Sequence, residues 1–156
     1  MRQSGRVIAA ILCGPVLAFA AQAQNPMSAP TYGEISLSAG FTPDPYLVNL
    51  SAGGQVDAAA ELGAQCLGFI AQAPDFDLYY NAGSLPLIIS AMAEADTTLV
   101  IHGPDGQWHC DDDSGGGVNP RLRFAAPVSG LYGIWVGTYT PGHTEPAQLR
   151  VSELDR

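Results

Sequence analysis

Four aspartates, Asp96, Asp111, Asp112 and Asp113, and the serine that follows them, Ser114, are the residues of this 156-residue chain whose types and spacing suggest chemistry. No lysine or arginine stands beside them in sequence to neutralise them. A hard divalent cation with oxygen ligands, most simply Ca²⁺, would turn their repulsion into coordination, and backbone carbonyls of the 114–117 loop would complete its shell. The other chemistry is nucleophilic. Ser114 would attack a carbonyl if a histidine base and a buried aspartate reached it.

The element that must position these groups reads as a β-hairpin. Residues 97–102 alternate with period two, Gly103-Pro104-Asp105-Gly106 makes a turn, and residues 107–111 extend again. With Gly103 opposite Gly106, Ile101 faces Trp108, Leu99 faces Cys110 and Asp96 faces Asp113. Like charges placed opposite on neighbouring strands destabilise a sheet. The pattern therefore predicts a cation held by Asp96, Asp111 and Asp113, with Asp112 beside them; the alternative is that the carboxylates fan out into water. Asp75 and Asp77 would join if their strand ended nearby.

Other constellations are excluded or weaker. Asp111-x-Asp113 with Gly116 begins like an EF-hand loop, but Leu122 stands where a bidentate glutamate is required. Two cysteines with His109 beside one of them lack the paired spacing of structural zinc. His102 reads as a surface strand residue, and Trp108 as a core residue against Ile101. Trp135 and Tyr139, spaced by Gly133 and Gly137, would form an aromatic platform for sugar or peptide.

Residues 1–23 have the pattern of a secretory signal peptide: Arg2 and Arg6, an apolar run over 7–20, and Ala21-Gln22-Ala23. No later stretch is long and apolar enough to be a membrane span. The remainder has four arginines, no lysine and fifteen acids, a net charge of −11. Such a surface repels nucleic acid and anionic lipid. Its two cysteines, Cys66 and Cys110, would meet in an oxidising compartment and read as one disulfide. The product is expected in the periplasm or outside the cell.

Residues 24–31, with two prolines, read as a disordered lead-in, and 32–156 as a single domain. Short alternating runs follow over 33–37, 46–50, 66–70, 77–80, 85–92, 97–102, 107–111, 121–125, 131–139 and 147–154. One passage, Asp57 to Leu62, is helical, with Asp57 as N-cap and Gly63 as stop. Eight to ten short strands with frequent turns describe an all-β fold, an antiparallel jelly-roll-like β-sandwich.

From about Phe76 the words NAGSLPLIIS, ADTTLVIHGPDG and DDDSGGGVNPRLRFAAPVSGLYGIWVGTY resemble, in that order, the bacterial pre-peptidase C-terminal domain. The resemblance covers about half the chain and leaves residues 32–75 as an extension. It implies a secreted β-sandwich, often Ca²⁺-binding and without catalysis of its own: a binding or accessory module for an extracellular or periplasmic protein or glycan. Asp113-Ser114-Gly115-Gly116-Gly117 is similar to the nucleophile segment of chymotrypsin-like serine proteases, which implies the alternative, a small serine hydrolase using Ser114. Its setting departs from that family, with Asp112 and Gly117 in place of a glycine and a proline. The chain is also too short for two six-stranded barrels.

Overall fold

The computed structural model describes residues 24–155; the signal peptide expected over 1–23 lies outside them. Eleven strands and one helical turn build an all-β sandwich of two sheets. In order they are β1 (Glu34–Ser38), β2 (Tyr46–Gly53), β3 (Val56–Asp57), α1 (Ala58–Leu62), β4 (Phe69–Ile70) and β5 (Phe76–Asn81). There follow β6 (Leu87–Met92), β7 (Thr97–His102), β8 (Trp108–Asp111), β9 (Arg121–Phe124), β10 (Gly130–Thr138) and β11 (Thr144–Ser152).

β10 is the spine of the larger, seven-stranded sheet. It pairs β5 along its first half, β4 at its last residue, and β7 on its other side, with β1, β3 and β8 further out. β1 and β5 run parallel, a departure from the antiparallel pattern expected. Parallel neighbours need a long connection, and here the chain supplies one by visiting the other sheet through β2 before returning. The smaller sheet has the order β2-β11-β6-β9. Residues 32–75, read as an extension, supply β1 to one sheet and β2 to the other, and β2 pairs β11 over its whole length.

Alternation fills the space between the sheets. Tyr132, Ile134 and Val136 of β10 point inward with Leu99 and Ile101, against Leu87, Ile89, Leu149 and Val151 of the smaller sheet. Burying such a face removes apolar area from water at about 25 cal/mol per Å².

A second apolar cluster lies on the outer face of the larger sheet. Val100 and Trp135 are covered there by Ala58, Cys66 and Ile70. The cover is the segment of β3, α1 and β4, and α1 is capped as its sequence predicts: Asp57 Oδ1 accepts from the N–H groups of Ala59 and Ala60, and the Gly63 N–H donates to the Ala59 carbonyl. A Cys66–Cys110 disulfide clamps this segment to β8. Gly137 lets it come close, since a Cβ there would stand 2.9 Å from the Phe69 carbonyl oxygen and 2.4 Å from Thr98 Oγ1.

The hairpin register differs by one from expectation. Gly103 closes on Gln107, its N–H donating to the Gln107 carbonyl at 2.9 Å, and Gly106 takes φ +74°. A three-residue loop with a left-handed last residue replaces the two-residue one. Leu99 thus faces Asp111, Val100 faces Cys110 and His102 faces Trp108. Because side chains alternate, that one step moves Trp108 and Cys110 from the inner face to the outer. Trp108 therefore packs not on Ile101 but on Trp135, ring centroids 5.3 Å apart. The lead-in, expected to be disordered, is anchored: Gln24 is buried with Nε2 donating to the Ala71 carbonyl, and the Thr31 N–H donates to Pro74.

Candidate functional site

The acidic residues gather where β8 runs out into the loop before β9, but not as one set. Asp111 turns back into the fold. Its Oδ2 accepts from the N–H groups of Ser114 at 3.0 Å and Arg121 at 2.8 Å, and its Oδ1 from the Ser114 hydroxyl at 2.5 Å. A carboxylate so placed pins the loop to β9, a capping role that short acidic side chains commonly take. Asp112 points the other way and accepts from the Tyr139 hydroxyl at 2.6 Å. Asp96, just before β7, has its pKa raised by partial burial and then by the charges of Asp113 and Asp112. The expected set of Asp96, Asp111, Asp112 and Asp113 is thus divided: three share one field, and Asp111 faces elsewhere.

Tyr139 belongs to the same field. Its pKa is pushed up to about 12, chiefly by the hydrogen bond to Asp112, then by burial and by Asp112, Asp96 and Asp113. His143 and Glu145 border a small hollow with Asp96 and Tyr139. Among the described residues no three His, Cys, Asp or Glu side chains already stand as a metal cage. A cation would have to draw Asp96, Asp112 and Asp113 together.

Ser114 has its hydroxyl hydrogen on a carboxylate rather than on an imidazole. His109 is engaged by Asp105, Nε2 to Oδ2 at 3.2 Å, and packs edge-on against Phe124. His102 packs edge-on against Trp108. Asp105 itself is held below the usual carboxylate range, first by the Gln107 N–H and also by His109.

The chain is similar to a pre-peptidase C-terminal domain. The one in question belongs to a collagenase from Bacillus anthracis; it is 16% identical, and the match covers 76% of this chain and 92% of that one at a TM-score of 0.41. A periplasmic inhibitor of g-type lysozyme from Aeromonas hydrophila, PliG, is also 16% identical, with 77% and 96% covered at a TM-score of 0.39. No protein-family model matches the chain, and no curated protein does.

The aromatic platform is corrected. Trp135 is 0% exposed, sealed beneath Ala58, Cys66 and Ile70, so it presents no ring to a ligand. Tyr139 alone of the pair is exposed, at 42%. Spacing placed both on one face, but only tertiary packing brings the disulfide-clamped segment over one of them. Asp75 is engaged elsewhere, on the Val136 N–H, and Asp77 lies apart from the group. Asp77 stands opposite Gly133, whereas the Asp96 end lies beyond Thr138, about 17 Å along β10 at strand spacing.

The two aspartates suggested as further cation ligands, Asp75 and Asp77, are buried acids instead. Asp75 is 2% exposed, with Oδ2 accepting from the Val136 N–H at 2.7 Å; desolvation raises its pKa to about 7 against that bond. Desolvation, with the nearby charge of Glu34, raises Asp77 to about 6. Glu153 is buried too, where it accepts from Tyr80 and from the Gly40 N–H. The signal available in sequence was only an acid beside strand residues, which does not distinguish a buried acid from a solvated one.

Proposed function

We propose that the protein is an exported, non-catalytic β-sandwich module that binds a protein or glycan partner in the periplasm or outside the cell. The observation that carries this reading is the Ser114 hydroxyl donating to Asp111. A serine nucleophile must pass its proton to a base, and a histidine held by an aspartate is the arrangement that accepts it. Here the serine and its aspartate instead close a turn, with the Arg121 N–H as a third partner. The disulfide supports an oxidising compartment. Among the described residues no helix is long and apolar enough to cross a membrane.

Ca²⁺ belongs to this reading as a stabiliser at Asp96, Asp112 and Asp113, whose mutual repulsion a divalent ion relieves. The alternative, a small hydrolase using Ser114, is separated from it by an activity-based fluorophosphonate probe. The wild type is expected to stay unlabelled. Labelling that disappears in Ser114→Ala would establish the hydrolase instead, and retention on a peptide or glycan array supports the module.

A further inference from the structure

Among the described residues, the arginine charge of this acidic molecule is collected on one surface. The chain has no lysine, and among the described residues its arginines are Arg121, Arg123 and Arg150. All three lie on the outer face of the smaller sheet, where Ser90 of β6 is paired on one side with Arg150 of β11 and on the other with Arg121 of β9. Arg150, Ser90 and Arg121 therefore stand in one row across three strands, with Arg123 in the next row opposite Ile88. Beside the row is a hollow of about 230 Å³, bordered by Arg150 and Arg121, with Ile88 and Met92 among its apolar lining.

The two ends of the row are in different states. Arg121 and Arg123 share the Asp155 carboxylate, at 2.6 and 3.1 Å. Among the described residues no carboxylate pairs with Arg150: its Nη1 lies 2.8 Å from the Met92 sulfur, a weak acceptor. Asp44, the acid bordering the same hollow, is engaged by Ser152 and the Glu153 N–H. A half-buried guanidinium without an acid partner among the described residues is a donor left for a ligand from outside.

We infer that this hollow binds the free carboxylate end of a peptide, with Arg150 as the receiving guanidinium, the Ser90 hydroxyl as a second donor, and the apolar terminal side chain over Ile88 and Met92. The proposal rests on the binding-module reading and names its site and ligand class. Guanidinium matches carboxylate through two parallel N–H donors. The apolar floor favours an acid that brings carbon with it. The net negative charge of the whole chain disfavours an extended polyanion, while one charge at the arginine row is attracted at short range. The chain's own Leu154-Asp155 presents the same combination at the rim, Leu154 bordering the hollow and Asp155 on the neighbouring guanidinium groups.

The test is calorimetric titration of the exported chain with acetyl-alanyl-leucine, its C-terminal amide, and inorganic phosphate. The free acid is expected to bind at least tenfold more tightly than the amide and than phosphate. Arg150→Gln should lose at least tenfold in affinity, and Arg150→Lys, which keeps the charge but not the fork, should fall between. Equal binding of acid and amide, tighter binding of phosphate, no binding of the acid, or full affinity in folded Arg150→Gln would each overturn the proposal. Peptide binding that survives Arg150→Gln removes this site and leaves the module reading intact, whereas probe labelling at Ser114 removes that reading.

Discussion

The Tyr139 hydroxyl donates to Asp112 at 2.6 Å, tying the residue after the spine strand β10 to the acidic loop after β8. The bond holds one carboxylate of the acidic group in place while Asp96 and Asp113 stay exposed. The proposed cation would take the other Asp112 oxygen.

From that arrangement, adding millimolar Ca²⁺ after chelation is expected to raise the melting temperature by a few degrees in scanning calorimetry, through preferential binding to the folded state. Asp113→Ala should remove most of the gain. Asp111→Asn should lower the starting temperature, because it weakens the turn to Ser114 and Arg121, yet keep the Ca²⁺ response. An unchanged wild-type melting curve would refute cation binding here.

Stability should fall as pH rises from about 4 to about 7. Asp75 has a folded-state pKa of about 7 and Asp77 of about 6, both above the ordinary value of 3.8, so the folded protein holds these protons more tightly than the unfolded chain. Their favourable contribution is complete below the unfolded value and is lost as pH passes the folded ones. For Asp75 the difference is on the order of 4 kcal/mol at about 1.4 kcal/mol per pH unit. Asp75→Asn keeps an acceptor for the Val136 N–H and should flatten the slope. Denaturant titrations across this range check it; a wild type that gains stability from pH 4 to 7 would contradict the assignment.

Reduction of Cys66–Cys110 should cost about 4 kcal/mol, the chain-entropy value for closing a loop with a sequence separation of 44. It should also loosen the cover over Trp135, seen as a red shift and easier quenching of tryptophan fluorescence. Cys110→Ser should reproduce both effects. Identical denaturation midpoints with and without reductant would show that the clamp contributes nothing.

Much of the fold could be read from local pattern. The Thr97–His102 strand, the inward Tyr132, Ile134 and Val136, and the Asp57 and Gly63 caps follow from alternation and capping chemistry, which act within a few residues. The hairpin register was one residue off, because Gly-Pro-Asp-Gly is compatible with two loop lengths and Gly106 settles between them only when its backbone is placed. The site suffered more. Asp111, Asp112 and Asp113 look alike in sequence, yet hydrogen bonds to Arg121 of β9 and to Tyr139, just past β10, send the first two in opposite directions.

By itself the sequence determined the all-β class, the acidic surface, the cysteine pair and which residues of a strand share a face, since each is set by composition or by a period of two. Tertiary structure alone decided which members of a face stay in contact with water. Gly137 illustrates the difference: in sequence it leaves space beside Trp135, and in the fold β4 fills that space, the disulfide holds the cover, and the ring is buried. The arginine row was equally hidden, because Arg121 and Arg150 are brought together by Ser90, a residue whose place between two distant strands no local pattern specifies.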